Sequence, residues 1–363
     1  MYGPDRLRVL IPDGDSPFAL QVAQSLRRGD RRIRVDAAYV DHRSLSRFSR
    51  FIHRSHRLDR NDLIGSIRAV IDSCGADVLL PVSGPGIAFV AQYAHMLEDL
   101  VRLVPTPSPA AIGSVNDKWM FAQRLQAAGI PAPATALFDR PERLDEFDRD
   151  LPVLLKPRCG SGGLGIVLFD RPAEVLPQAD RFIGEGDPYI LQQYISGHDI
   201  DRSVLCSSGR VIAGTVQEGV SVRKDFAPSG SLHFHCDRKV EELVDRTIAE
   251  LGWSGIAHLD LRYGADGSLN VIELNPRYWS TMLGSLCAGV NFPLIAVRAA
   301  LGLQQDAIGM RECYYVSLKE WPHFQRRLGV PLKHTSLYHG VSDPLAKLLK
   351  KYRPSTAFGG NVA

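Results

Sequence analysis

Ala257-His258-Leu259-Asp260-Leu261-Arg262-Tyr263 and Val271-Ile272-Glu273-Leu274-Asn275-Pro276-Arg277, joined through Gly264-Ala265-Asp266-Gly267, decide how this chain is read. Polar and apolar residues alternate with period two in both segments, as in strands with two distinct faces, and Asp266-Gly267 supplies a hairpin turn. His258, Asp260 and Arg262 therefore point one way while Leu259 and Leu261 point the other; Glu273, Asn275 and Arg277 repeat the pattern on the return strand. Two carboxylates, an amide and two guanidinium groups on one sheet face are costly to bury without compensating charge. Divalent cations supply such charge, and Asp, Glu and Asn oxygens suit Mg²⁺ (or Mn²⁺), which keeps some waters and is completed by substrate phosphates. An Arg beside them suits developing phosphoryl charge. Read alone, the hairpin fits equally a solvated face on which acids and bases pair, so the rest of the chain has to choose.

With 363 residues there is room for two or three domains. A net charge of +3 argues against a nucleic-acid partner held by bulk charge. The basic runs Arg27-Arg28 with Arg31-Arg32, and Lys347 with Lys350-Lys351, read as solvated helix faces and termini. No segment approaches the roughly 18 apolar residues of a membrane span, and Met1 to Arg6 lacks the apolar core of a signal peptide. The expectation is a soluble cytoplasmic protein. Cys74, Cys159, Cys206, Cys236, Cys287 and Cys313 stand singly, without metal-site spacing, and read as reduced thiols.

Strands at 7–12, 33–40 and 77–82 alternate with helices at 18–26 and 63–74, which predicts an N-terminal doubly wound parallel α/β domain over residues 1–111. The loop Asp13-Gly14-Asp15-Ser16-Pro17 ends the first strand without forming a dinucleotide fingerprint. Pro105 to Pro109 marks a linker, and a helix opens at Lys118. A strand over 151–157 then carries Lys156 into the loop Gly160, Ser161, Gly162, Gly163, Leu164, Gly165. Such glycines let backbone N–H groups approach an anion, and a lysine beside them is a point charge for phosphate. P-loop and kinase motifs are absent, so a nucleotide bound here would be held by another scheme. The strand 189–195 leads into a turn through Asp199, a backbone and carboxylate suited to adenine and ribose. Two strands follow within 204–215, and the polar loop 217–231, with Arg223 and Lys224, fits a substrate clamp or a surface connection. Beyond residue 300 the sequence offers a strand at 314–321 and a basic amphipathic helix at 345–352.

Taken in order, Lys118, Lys156 with its glycine loop, the Gln192 to Asp199 segment and the Asp260/Glu273/Asn275 hairpin resemble the ATP-grasp superfamily over about residues 112 to 300. Glu273-Leu-Asn-Pro-Arg277 is similar to the family's E-x-N-P-R metal motif, with an acid thirteen residues upstream as in D-alanine:D-alanine ligase-like members. Residues 276–294 resemble the continuation seen in carboxylate–amine ligases, a type that includes carbamoyl-phosphate synthetase-like enzymes. Gln192 stands where the family carries a hinge acid, His258 where an Arg is found in those ligase-like members, and Asp199 where Glu is usual.

The resemblance implies a two-lobed α+β ATP-grasp domain over 112–302, with a small lid lobe within 112–195, a metal-binding lobe at 196–302 and a C-terminal extension at 303–363. It implies that Lys118 and Lys156 contact phosphates and that Gly160, Ser161, Gly162, Gly163 and Gly165 close over them. Gln192, Gln193, Tyr194 and Ile195 would form the adenine hinge, and Asp199 would take the ribose. Asp260, Glu273 and Asn275 would hold Mg²⁺. Arg277 would stabilise the moving phosphoryl group, Arg262, Arg223 and Lys224 would grip carboxylates, and His258 would take the amine's proton or serve the structure. The implied activity is an ATP- and Mg²⁺-dependent, ADP-forming ligase joining small-molecule carboxylates and amines through an acyl phosphate. An ATP-dependent carboxylase, a bicarbonate or ammonia ligase, and a non-catalytic nucleotide-binding regulator remain open, as does a homodimer.

Overall fold

Arg8-Val9-Leu10-Ile11 is an almost continuous apolar run, the kind of strand a parallel sheet buries at its centre. In the computed structural model, which describes residues 7–148, 151–160, 163–183, 188–221, 229–303 and 309–349, it is β1 (Arg8–Ile11). With β2 (Arg34–Tyr39), β3 (Arg54–Arg57), β4 (Val78–Leu79) and β5 (Arg102–Leu103) it forms a parallel sheet in the order β3-β2-β1-β4-β5. The helix Leu63–Cys74 has the predicted bounds: Asp62 caps it by accepting from Gly65 N at 2.9 Å, and Gly75 ends it at φ 59°. β3 escaped the sequence reading because Arg54-Ser55-His56-Arg57 has no apolar alternation. Among the described residues it pairs only with β2, and charge is tolerated on such an edge.

The second sheet is antiparallel: β6 (Thr135–Phe138), β7 (Val153–Pro157), β8 (Val167–Phe169) and β9 (Tyr189–Gln193), in the order β6-β9-β7-β8. It closes over a core of its own, with Phe138, Leu155, Val175 and Leu191 at the centre. The third is also antiparallel: β10 (Gly197–Ser207), β11 (Arg210–Gly219), β12 (Leu232–Phe234), β13 (Gly255–Gly264), β14 (Leu269–Asn275) and β15 (Cys313–Tyr315), in the order β14-β13-β10-β11-β12-β15. The helix Arg238–Leu251 lays Val240, Val244, Ile248 and Leu251 on this sheet's core. One apolar cluster joins the first and third sheets, running from Val9, Ile11 and Val78 through Val204 and Leu259 to Trp279 and Phe292.

One expectation gains detail and another changes. The proline-rich linker is packed, for a Cβ on Gly255 would lie 2.7 Å from the Pro105 carbonyl, and a helix, Pro109–Asn116, follows at once. The strand expected over 314–321 stops at Tyr315, and Trp321 with Pro322 begins the helix Trp321–Leu328, where a proline's missing N–H costs nothing. The described residues 309–349 are tied to the body. β15 extends the large sheet, Gln24 Nε2 donates to the His339 carbonyl at 3.2 Å, and Arg50 N donates to Asp343 at 3.1 Å. Of the helix expected at 345–352, Pro344–Leu349 is observed and the remainder lies outside the described residues. No helix among the described residues is long and apolar enough to cross a membrane.

Candidate active site

Strand register assembles the site. Across β10, β13 and β14, Asp201 faces Asp260 and Asp260 faces Glu273; in the neighbouring row Ser203, His258 and Asn275 align. The predicted polar face of the hairpin is therefore present and gains Asp201, which the sequence reading missed. The available signal was period two: Asp199, Asp201 and Ser203 share a face once β10 is carried back to Gly197, where a turn had been expected.

Asn275 Nδ2 donates to Glu273 Oε1 at 2.9 Å and to Asp260 Oδ2 at 3.3 Å, while its Oδ1 accepts from Arg277 at 3.0 Å. His258 is buried, with Nδ1 2.9 Å from Ser203 Oγ, Nε2 3.3 Å from Asp260 Oδ1, and the ring stacked on Trp279. Burial, aided by the charge of Arg277, pushes His258 down to about 3, so the ring stays neutral. Burial pushes Asp201 up to about 7, against the stabilising donation of Gln217 Nε2 at 3.2 Å and with the repulsion of Asp199 and Glu273. Burial, then the charges of Glu273 and Asp201, hold Asp260 well above the usual carboxylate range. Ligand atoms of Asp201, His258 and Asp260 lie within 4.8 Å of one another. Crowded carboxylates that resist ionising together are what a divalent cation relieves, and their hard oxygen donors fit Mg²⁺.

Opposite this face stand two lysines. Lys156, only 6% exposed, donates to Gln192 Oε1 at 2.6 Å, and Gln192 Nε2 donates to Thr135 Oγ1 at 3.1 Å. Burial pulls Lys156 down to about 8, with Lys118 opposing and Glu273, Asp260 and Asp199 favouring its charge. Lys118 Nζ donates to the Gly160 carbonyl at 2.6 Å and lies 3.9 Å from Glu273 Oε2, linking the glycine loop to the acid face. Asp117 caps the helix Lys118–Ala127 and pairs with Arg158 at 2.6 Å, which fixes the start of that loop. Gly163 and Gly165 belong to the described part of the loop; Ser161, Gly162, Arg223 and Lys224 lie outside the described residues.

At the hinge, Gln193 N and Tyr194 N donate to the Ala134 and Pro152 carbonyls at 2.9 and 3.0 Å. Arg262 gathers this segment: it bonds the Ile195 carbonyl and Asp199, donates to Tyr194 Oη at 2.9 Å and the Gly197 carbonyl at 3.1 Å, and lies over the Tyr194 ring. Arg262 thus binds the segment from Tyr194 to Asp199, and the Gln192 side chain turns to Lys156. Asp199 sits on β10, largely exposed, with Arg262 as its partner.

The parallel sheet meets the site where its strand order reverses, between β1 and β4. Tyr278 N donates to the Val82 carbonyl at 3.2 Å, and Arg277 lies over the Phe18 ring. Asp13, from the first strand's loop, accepts from Val82 N, Ser83 N and Ser83 Oγ at 3.1, 2.7 and 2.5 Å. Its side chain braces the crevice.

Residues 115–281 match a family model described as an ATP-grasp domain. The chain is similar to the carbamoyl phosphate synthase large chain of Vibrio cholerae, 24% identical over 283 residues, covering 72% of this chain and 26% of that protein. It is similar to a probable alpha-L-glutamate ligase of Teredinibacter turnerae, 25% identical over 205 residues, covering 55% of this chain and 68% of that one. A solved biotin carboxylase in complex with a nucleotide, from Campylobacter jejuni, shares the fold at a TM-score of 0.66 and 18% identity, covering 84% of this chain and 73% of that one. The chain spans about a quarter of the length of the carbamoyl phosphate synthase it matches. The match to the ATP-grasp domain model is confined to residues 115–281, under half of the chain.

Proposed function

We propose that the chain is an ATP- and Mg²⁺-dependent ligase that activates a small-molecule carboxylate as an acyl phosphate and joins it to an amine, releasing ADP and phosphate. The observation that carries this reading is the column Asp201, Asp260 and Glu273, with Asn275 and Arg277 beside it, linked to the lysine side of the cleft by the Lys118–Glu273 approach. Asp201, Asp260, Glu273 and Asn275 would hold Mg²⁺, which when bound neutralises phosphate charge.

Lys156 and Lys118 would bind the nucleotide's phosphates, and the glycines with Ser161 would cover them. Arg262 would position the hinge and hold Asp199 for the ribose. The substrate carboxylate oxygen attacks the γ-phosphorus as the bond to ADP breaks, and Arg277, oriented by Asn275 Oδ1 and the Tyr278 carbonyl, receives the developing charge. The amine nitrogen then attacks the acyl carbon, the carbon–oxygen bond to phosphate breaks, and the departing phosphate takes the proton. His258, neutral and held by Ser203, would position Asp260 rather than exchange protons. Arg223 and Lys224 remain candidates for gripping substrate carboxylates. The proposed setting is the cytoplasm.

The test is nucleotide release by purified protein with Mg²⁺-ATP and pooled carboxylates and amines. ADP that requires both pools supports the ligase. ADP driven by bicarbonate, with or without ammonia, would replace it by the carboxylase or bicarbonate-ligase reading, which the likeness to a biotin carboxylase and a carbamoyl phosphate synthase keeps in view. AMP would overturn both.

A further inference from the structure

The structure assigns a second anion site, outside the ATP-grasp cleft: we propose that the groove at the carboxyl ends of β2 and β3 binds a small molecule through a phosphoryl group held by Arg57 and Arg60. The groove encloses about 590 Å³ and is lined by Asp41, His42, Arg43, Arg57, Asp59 and Arg60 among others. That volume suits a ligand of sugar-phosphate or mononucleotide size. The carboxyl edge of a parallel sheet is where α/β domains take ligands, and no lining residue belongs to the site described above.

Charge selects the ligand. Asp41 is buried, and Arg43 covers both its oxygens, with Nε at 3.2 Å from Oδ1 and the terminal nitrogen at 2.8 Å from Oδ2. His42 Nδ1 lies 3.6 Å from the same carboxylate. Asp59 accepts from its own loop through Asn61 N at 2.9 Å. Arg57 and Arg60 are exposed and have no acidic partner among the described residues. Three guanidinium groups against the carboxylates of Asp41 and Asp59 leave the groove net positive, and the planar donors of Arg57 and Arg60 match phosphoryl oxygens. The rim is held in place: Asp15 accepts from Val40 N at 2.7 Å and Asp41 N at 3.3 Å, and Arg47 bonds the His42 carbonyl. Protection of the sheet edge accounts for charge along β3 but not for a braced cavity at its end.

The experiment is calorimetric titration of the full chain with ribose 5-phosphate, with ribose and acetate as the uncharged and single-carboxylate controls. The expected result is saturable binding of ribose 5-phosphate alone, weakened roughly tenfold or more in Arg57→Ala/Arg60→Ala, largely retained in Arg57→Lys/Arg60→Lys, and unchanged in Lys156→Ala. Absence of saturable binding, equal binding of acetate, persistence in the double alanine variant, or loss in Lys156→Ala would each overturn the proposal.

Discussion

Lys156 carries its charge at a cost: burial lowers it to about 8 from an ordinary value of 10.5. Between those two values the unfolded chain holds a proton that the folded chain has released, so this residue's destabilising effect, full below about pH 8, fades as pH rises through the window. Phosphate binding needs the charged form. ADP affinity measured without Mg²⁺ should therefore be flat below about pH 8 and fall above it, approaching tenfold per pH unit, and a flat profile to pH 9.5 would remove Lys156 from the phosphate site. The charge of Glu273 raises both Asp260 and Asp201. Glu273→Gln should leave the metal-free melting temperature unchanged or higher, abolish the rise that Mg²⁺ with ADP produces, and reduce turnover by roughly 100-fold or more. A variant that keeps its activity would refute the metal assignment.

Among elements, the hinge and the hairpin set the geometry. Arg262 spends its donors on Ile195, Tyr194, Gly197 and Asp199. Removing it in Arg262→Ala should weaken ADP binding by about tenfold, the scale of one or two charged hydrogen bonds, while single-turnover chemistry at saturating ATP stays near normal; an equal loss in both would make Arg262 part of the chemistry. Gly197 sits at φ 153°, where a Cβ would lie 1.8 Å from the Tyr263 carbonyl. Gly197→Ala should therefore cost about 3 kcal/mol or more in urea unfolding. The hairpin was legible because period two and an Asp-Gly turn are local signals; the bulge between Asp260 and Leu261 was not. Asp201 was not, because the residues before it, Ser196-Gly197-His198, carry turn chemistry, and only pairing with β13 draws them into a strand. The contact between Gln192 and Lys156 was not legible for a similar reason: the two are 36 positions apart, and only the β7–β9 pairing brings them together.

At the scale of the molecule, the parallel sheet and a following two-lobed α+β domain were foreseen in kind, and a strand was expected where β15 lies, while β3, β6, β8 and β12 depend on tertiary contacts that sequence does not display. The shared core of the first and third sheets keeps the crevice between β1 and β4 against Arg277. Asp13 holds that crevice, so Asp13→Ala, which leaves two buried N–H groups without an acceptor, should cost about 2–4 kcal/mol in stability and weaken substrate use without changing ADP affinity; altered ADP affinity would mean that Asp13 serves the nucleotide site.

The central claim is that a carboxylate oxygen attacks the γ-phosphorus of ATP. It is tested most directly by supplying ¹⁸O-carboxylate substrates with Mg²⁺-ATP and reading inorganic phosphate and nucleotide by mass spectrometry. The account predicts one labelled oxygen in each phosphate released and unlabelled ADP. Label in AMP, or unlabelled phosphate from a turning-over enzyme, would contradict it.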